Sequence, residues 1–439
     1  MNVATAPDRG GVVKMPATVF FDERKRLITP RLGEVIRQEG QLASGADGRI
    51  WRYVGGVYRP DGDQWVRARV RELLGDDCRR LHFDEVMTWL RSFEATITDS
   101  PDTSYLNVAN GILDLATLTL RPHSPEVVST TQIPVAWNTE ATCPRIERFL
   151  MDILPEDAMG FVLEMIGYSL YADNPLQKAV LLSGPGGNGK SKLLKLLWAL
   201  AGSENCVAIP LQAFGENRFA GADLYGKLAN ICGDLDARAI KRTDLFKQLT
   251  GGDVVRAERK YGHGFYFTSY ALPIFSANEA PLTSDQTDAW FQRWLVVPME
   301  RVIRGTPMED PNIEQKILRH DELEGLLVRA VVALTTLLER GHFDVPPSIE
   351  HANAAYRERL DSVRGFVTDN CVLSGSAWVP RTALYSDFRR WCSDNGREAP
   401  NSALFYERLQ RDFAEVRAAG RKGTRGFGGI CLLAAEGAP

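Results

Sequence analysis

The chain has 439 residues, 44% hydrophobic and 25% charged, with a formal net charge of −4. That length accommodates two or three domains with a core in each. The mild acidity excludes a protein that coats nucleic acid with its whole surface, so any such contact must be local, in a channel or on one small domain. Seven scattered cysteines (78, 143, 206, 232, 371, 392 and 431) form no Cys-x-x-Cys pair and no metal-ligand spacing. They read as reduced, buried thiols. Residues 1–11 lack the apolar segment of a signal peptide, and no apolar run approaches the roughly 20 residues of a membrane span. A soluble protein of a bacterial host cytoplasm, with no membrane partner, is expected.

Residues 1–16 read as a flexible tail and 17–140 as an N-terminal α+β or helical region. Within it, residues 50–60 (IWRYVGGVYRP) predict a Gly-Gly hairpin between aromatic strands. Residues 105–137 are strand-rich, punctuated by Asn110-Gly111 and by Pro122, Pro125 and Pro134. The region is short for a priming domain and shows no Asp-x-Asp pair on a strand, so primase activity is not expected of it. His123 stands between prolines with no acid or cysteine pattern nearby, and reads as a fold-determining residue. Residues 141–177 predict a helical collar or oligomerisation segment. Its first helix carries Ile146, Phe149, Leu150 and Ile153 on one face, and a second covers about 155–172.

From 178 to 305, short apolar strands alternate with helices, the pattern of an α/β core with a parallel sheet. The apolar run 179–183 (AVLLS) leads into Gly184, Pro185, Gly186, Gly187, Asn188, Gly189, Lys190 and Ser191, followed by a helix over 192–201. This is the phosphate-loop motif in its strand–loop–helix context. Glycines let successive backbone N–H groups curl round phosphates, and the helix N-terminus adds partial positive charge. Lys190 is positioned for the β- and γ-phosphates of ATP and Ser191 for Mg²⁺. About 40 residues on, the strand 227–231 (KLANI) ends in Asp234 and Asp236. Asp234 is the first candidate for the metal and water, with Asp236 assisting. The strand 271–277 (ALPIFSA) ends at Asn278, a candidate γ-phosphate or water sensor, although an Asn before Glu-Ala-Pro also suits a plain turn. Arg293, just before the apolar run 294–298, is either a transition-state arginine or a surface residue.

Residues 306–365 predict a helical segment, with Leu323, Leu326, Leu327, Ala330 and Val331 at helical period. Residues 366–435 read as a winged-helix DNA-binding domain. Leu384, Phe388 and Trp391 share one side of a helix over 382–391, and Asn401 caps a second over 403–413 with Phe405 and Leu409 inward. A Gly-rich basic loop, 420–429 (GRKGTRGFGG), then offers Arg421, Lys422 and Arg425 to phosphates before a final strand, 430–433.

The order of these parts resembles superfamily 3 helicases, and specifically the phage/plasmid primase-helicase C-terminal family. The matching blocks are 105–125, the phosphate loop, 218–236 (RFAGADLYGKLANICGDLD), 246–261 (FKQLTGGDVVRAERKY), 275–281 (FSANEAP) and 291–297 (FQRWLVV). The resemblance implies an AAA+-like core assembling as a hexameric ring, with ATP between subunits. It implies that Asp234 and Asp236 are the acidic strand end, Asn278 the sensor amide, Arg293 the inter-subunit finger, and Lys247 a basic residue touching the neighbour's nucleotide. Many relatives carry Arg-Arg where this chain has Arg293-Trp294, which leaves Arg293 as the sole finger candidate of that pair.

Residues 256–267 predict a tight hairpin with cations and aromatics at its tip, a sequence-tolerant way to hold a single strand. Lys260, Tyr261 and His263 are the expected DNA contacts, and in similar proteins this hairpin lines the ring's channel. The expected function is an ATP-dependent replicative helicase of a bacteriophage or mobile element, acting on single-stranded or forked DNA beside a separate primase or other replication proteins. Two rivals share parts of the pattern. One is an ATP-switched origin-binding initiator, which would hardly respond to loss of Lys260; the other is a small-molecule P-loop kinase, which would have no use for the hairpin.

Overall fold

The computed structural model describes residues 16–45, 48–93, 95–97, 100–217, 219–235, 240, 242–258, 264–283, 285, 287–397, 399–421 and 423–433. The chain divides into two units, residues 1–114 with 119–132, and residues 115–118 with 133–439.

In the first unit, helix α1 (Thr29–Gly40) precedes strands β1 (Leu42–Gly45), β2 (Ile50–Val54) and β3 (Val57–Arg59). Helices α2 (Gly62–Leu74) and α3 (Arg80–Arg91) and strand β4 (Ala95–Ile97) follow, and the sheet runs in the order β3-β2-β1-β4. Helical spacing explains the packing. Leu32 and Ile36 of α1, Val66 and Val70 of α2, and Val86 and Leu90 of α3 meet Phe20 and Ile50 in one buried cluster. Each such side chain contributes about 1.5–3 kcal/mol by leaving water. The expected hairpin is present, with Val54 paired to Val57 across Gly55 and Gly56. Strands β5 (Tyr105–Val108), β6 (Gly111–Asp114) and β7 (Leu120–Arg121) form a second, antiparallel sheet. Named strands stop at Arg121, where Pro122 and Pro125 remove ladder donors. The His123 Nε2 lies 3.0 Å from Asn107 Oδ1 and 2.9 Å from the Val108 carbonyl, and the ring covers Gly56. These contacts tie strand ends together.

The second unit opens with α4 (Pro144–Ile153) and α5 (Met159–Tyr168). The buried face of α4 is Ile146, Phe149, Leu150 and Ile153, as the spacing predicts. Helix α5 is shorter than expected because the Ser169 hydroxyl takes the Ile166 carbonyl at 2.7 Å and the chain turns away. The elements then run β8 (Ala179–Ser183), α6 (Lys190–Ala201), β9 (Cys206–Val207), α7 (Ala213–Glu216), β10 (Ala229–Cys232) and α8 (Asp244–Gly251). The hairpin β11 (Val254–Glu258) and β12 (Gly264–Thr268) precedes β13 (Leu272–Ala277), α9 (Asp288–Phe291) and β14 (Trp294–Pro298). Five of these strands form a wholly parallel sheet in the order β14-β8-β13-β10-β9. Its central strands are near-continuous apolar runs because both faces are covered. Strand β13 inserts between β8 and β10 although it follows both in the chain. The carboxyl ends of these three strands therefore lie side by side, the usual place for a ligand in an open parallel sheet.

Helices α10 (Ile313–Ile317), α11 (His320–Arg340) and α12 (Pro347–Leu360) come next. Leu326, Leu327, Ala330, Val331 and Leu334 of α11 are fully buried. Glu322 is 1% exposed, yet its carboxylate accepts the N–H groups of Arg145 (3.0 Å) and Ile146 (3.1 Å) and the Arg145 guanidinium (3.0 Å). It thereby caps α4, where negative charge meets the positive helix end. At the other end of α11, Arg340 donates to Glu164 at 2.7 Å. Tyr356 of α12 donates to the Pro281 carbonyl, and Asn353 accepts the Val296 N–H.

The last elements are α13 (Ser362–Asn370), β15 (Cys371–Pro380), α14 (Arg381–Asp394), α15 (Ser402–Asp412), β16 (Arg417–Arg421) and β17 (Thr424–Leu432), with an antiparallel sheet in the order β15-β17-β16. Leu384, Phe388, Trp391, Phe405 and Leu409 turn inward, with Phe388 stacked on Phe405 at 4.2 Å, and Asn401 accepts the Leu404 N–H as N-cap. The same cluster includes Val363, Phe366 and Val367, so its packing begins upstream of residue 366. Residues 420–429, expected as a loop, are instead mostly strand, with Arg421 paired to Thr424 across the turn. Gly426 serves close packing: a Cβ there would stand 2.5 Å from the Val379 carbonyl and 2.6 Å from the Trp378 ring. Among the described residues no helix is long and apolar enough to cross a membrane. All seven cysteines are free, and burial pushes Cys143, Cys206 and Cys371 up to about 12, far from the thiolate form.

Candidate nucleotide-binding site

The phosphate loop links β8 to α6 as the motif predicts. Gly189, at φ 92°, forms the N-cap of α6, and Gly184 passes so close to β14 that a Cβ there would stand 2.1 Å from the Met299 carbonyl. The loop is tied to the chain beyond β14. Asn188 donates to Met299 O, and the N–H groups of Ile303 and Arg304 donate to the Gly187 carbonyl at 2.9 and 3.0 Å. The Lys190 side chain curls under the loop, and its ammonium donates to the carbonyls of Gly184 (2.5 Å) and Pro185 (2.7 Å) and to Asn188 Oδ1 (3.1 Å). Burial pushes this ammonium below the usual lysine range, and the Asp234 carboxylate offsets part of that.

The loop floors a cavity of about 340 Å³ that Ser191, Asp234 and Asn278 also line. Asp234 sits just past the end of β10 with φ 51°, in the left-handed region that Asp tolerates better than most non-glycine residues. It is held there by its N–H to Ser276 Oγ (3.3 Å), with the Leu235 N–H to the Ser276 carbonyl (2.8 Å) beside it. Asn278 follows β13, so an exposed acid and an exposed amide stand on neighbouring strand ends facing the loop. Asp236 lies outside the described residues.

The rest of the cavity wall has no motif to announce it. Phe149, Asp152 and Ile153 of α4 form one side, and Ile303, Met308 and Ile313, from the segment after β14, form another. Phe149 and Ile153 read as ordinary core in the sequence; only the tertiary arrangement shows that they border a cavity.

Arg293 is elsewhere. It precedes β14, whose Trp294 pairs with Ala179 while Pro298 pairs with Ser183. Its Cα is therefore about 16 Å along the strand from the loop, at the opposite, amino-terminal end of the sheet's strands. Its guanidinium donates to Thr250 Oγ1 (2.9 Å), to the Ala289 carbonyl and to the Lys247 carbonyl (3.4 Å). Trp294 is buried and stacks on Phe246 at 5.2 Å, so the residue after Arg293 is core. Lys178, which no motif singles out, also lies at this end of the strands and donates to the Gln292 carbonyl at 2.6 Å. Burial, and then the Arg293 cation, hold its ammonium below the usual range. Lys247 is nearby on α8 but is engaged: its ammonium donates to Asp285 at 2.8 Å. Burial would raise the Asp285 carboxyl, yet bonds from Lys247, Thr243 and Thr287 outweigh it and hold the group down to about 2.

The expected hairpin is formed by β11 and β12, from Val254 paired with Thr268 to Glu258 paired with Gly264. Lys260, Tyr261 and His263 at its tip lie outside the described residues, as does Lys422 of the C-terminal turn. Phe265 and Phe267 contact Tyr225 edge-on at 5.4 and 5.6 Å, which makes them anchors of the stem. Arg421 and Arg425 are exposed on β16 and β17.

Three family models match: D5 N terminal like over residues 41–155, a family of unknown function (DUF5906) over 182–293, and Poxvirus D5 protein-like over 358–425. A protein of Acanthamoeba polyphaga mimivirus named as a helicase, L207/L206, is 23% identical over 282 residues. That match covers 58% of this chain and 29% of the mimivirus protein, so the chain spans under a third of that relative's length. Among solved structures, the apo NrS-1 C terminal region superposes with a TM-score of 0.52 at 12% identity, covering 91% of this chain and 98% of that one. This likeness shows the fold. The two D5 matches and the helicase-named relative, with the ordered blocks already noted, support a likeness to phage-type superfamily 3 primase-helicases.

Proposed function

We propose that the protein is an ATP-driven DNA motor that assembles as a ring, a hexamer by family analogy, and separates strands during replication of a viral or mobile genome. The observation that carries this reading is the split of the catalytic set. Loop, acid and amide converge on one cavity at the carboxyl ends of the strands, while Arg293 stands at their amino ends, about 16 Å along the strand and beyond the reach of an arginine side chain. A finger so placed serves the nucleotide of a neighbouring subunit, and heterologous contacts of that kind close into rings.

The residues present fit a nucleoside triphosphate with Mg²⁺. The glycine cradle leaves backbone N–H groups for phosphate oxygens, and Lys190, now satisfied only by neutral oxygens, is available to exchange them for phosphates. Ser191 and Asp234 would hold Mg²⁺, which supplies charge neutralisation of the β- and γ-oxygens. Asp234, with Asp236 assisting, orients the attacking water, and Asn278 senses the γ-phosphate. Phe149, Ile153, Ile303 and Met308 offer the base an apolar slot that excludes water. Arg293 and Lys247 face the adjoining subunit. The hairpin β11–β12, with Lys260, Tyr261 and His263 at its tip, contacts single-stranded DNA, and the C-terminal module, read as a winged helix, adds a second contact through Arg421, Lys422 and Arg425.

The reading is tested by measuring ATP hydrolysis with and without single-stranded DNA, beside the particle mass in solution. Stimulation by DNA and a nucleotide-dependent ring mass are expected, and Lys190→Ala should abolish hydrolysis. A monomer that hydrolyses ATP indifferently to DNA would end the proposal.

A further inference from the structure

The segment after β14 is strapped across the phosphate loop. At one end, the N–H groups of Ile303 and Arg304 hold the Gly187 carbonyl. At the other, Glu314 of α10 accepts the ammonium groups of Lys192 and Lys195, both on the helix that follows the loop. Between these ties the chain folds on itself. Gly305, at φ 78°, donates its N–H to Glu309 Oε2 at 2.7 Å, and the Thr306 N–H donates to the Ile303 carbonyl at 3.1 Å. Every one of these bonds lies within a single chain, so the strap belongs to the same subunit as the loop it crosses.

Arg304 is the cation that the strap brings to the cavity wall. Its side chain passes Gly187 so closely that a Cβ there would stand 2.9 Å from the Arg304 Cβ and 3.7 Å from its Cδ. The other cations lining the cavity are engaged. Arg148 is paired with Asp152 at 3.2 Å, Lys192 with Glu314, and Lys190 donates to the loop's own carbonyls. Arg304 is exposed and in no ion pair among the described residues, while its acidic neighbour Asp310 is taken up by Lys316.

A triphosphate carries more negative charge than Mg²⁺ and one lysine offset, and the Asp234 carboxylate adds to the excess. A guanidinium suits that excess, because its planar fork can donate two N–H groups to phosphate oxygens. We propose that Arg304 binds the phosphate chain of the nucleotide held by its own subunit's loop, a contact separate from Arg293, which serves the neighbour's. This inference rests on the reading that the cavity takes a nucleoside triphosphate.

The test is binding of fluorescent ADP and of a fluorescent, non-hydrolysable ATP analogue, each with Mg²⁺, followed by anisotropy. Arg304→Ala should bind the ATP analogue about tenfold more weakly, the loss expected for one charge-assisted contact, and Arg304→Lys should recover part of it. A loss shared by ADP puts the contact on the inner phosphates; one confined to the analogue puts it on the terminal phosphate. The side chain is exposed and its backbone N–H survives substitution, so unchanged thermal melting without nucleotide checks the fold. Mixing then identifies the subunit served. Arg304→Ala mixed with Lys190→Ala should hydrolyse ATP no faster than the average of the two alone, since no subunit in the mixture has an intact site. Unchanged affinity for the analogue, or a mixture more active than that average, overturns the inference. Wild type that binds neither nucleotide sinks the reading of the cavity together with the inference. Weakened binding in Arg304→Ala, in a protein whose hydrolysis ignores DNA, upholds the inference and removes only the motor.

Discussion

Arg293 and Lys190 lie at opposite ends of two neighbouring strands of one sheet, and this makes their relationship measurable. Each substitution alone, Arg293→Ala or Lys190→Ala, should lower turnover by about 10³-fold or more. If the finger acts across a subunit boundary, mixing the two variants restores part of the activity. A competent interface then needs an intact loop from one protomer (the Arg293→Ala chain) and an intact finger from the next (the Lys190→Ala chain). Random mixing at equal amounts makes the chance about one half times one half, so turnover should rise to about a quarter of wild type. The geometry allows no partial credit within one subunit, because the finger sits about 16 Å along β14 from its own loop. The assay is steady-state phosphate release across mixing ratios, with particle mass confirming that subunits exchange. A mixture no more active than its components, in particles shown to be mixed, would refute the cross-subunit assignment.

Two further outcomes concern stability. The Asp285 carboxyl is held down to about 2 in the fold against an ordinary 3.8, so its contribution, about 2 kcal/mol, is full above pH 3.8 and is lost as pH falls through 2. Asp285→Asn should therefore be destabilised by about that much at neutral pH, with the gap to wild type closing between about pH 4 and 2 in denaturant melts; a gap independent of pH would contradict the Lys247 pairing. At Gly167, a Cβ would stand 2.2 Å from the Ala330 carbonyl, so α5 and α11 must part to admit it. Gly167→Ala should cost about 1–3 kcal/mol in thermal or chemical unfolding, and an unaffected midpoint would mean the two helices are not so closely packed.

The parts of this molecule legible in its sequence are those whose physics is local. The phosphate loop is fixed by glycines followed by Lys190 and Ser191 within one strand–turn–helix, and the β11–β12 hairpin by short-range alternation around its turn. The inward faces of α4, α11, α14 and α15 follow from helical period. What the sequence left open depends on partners distant in the chain. Nothing near residue 272 shows that β13 slips between β8 and β10, though that insertion sets Asn278 beside Asp234. Phe149 and Ile153 look like any buried apolar pair until Ile303 and Met308 arrive opposite them. Lys178 becomes notable only because Arg293, more than a hundred residues later, lands on the adjacent strand. Residues 420–429 misled for a different reason: Gly426, a residue that suits a loop, is used here to admit Trp378 and the Val379 backbone to the sheet.

The central claim is that hydrolysis in the loop cavity moves DNA. Strand displacement on a forked duplex, followed in real time with ATP present, addresses it most directly. Wild type should release the labelled strand at a rate that follows ATP concentration, and Lys190→Ala should release none at any concentration. Robust ATP hydrolysis with no strand release on forks of either polarity would contradict the account.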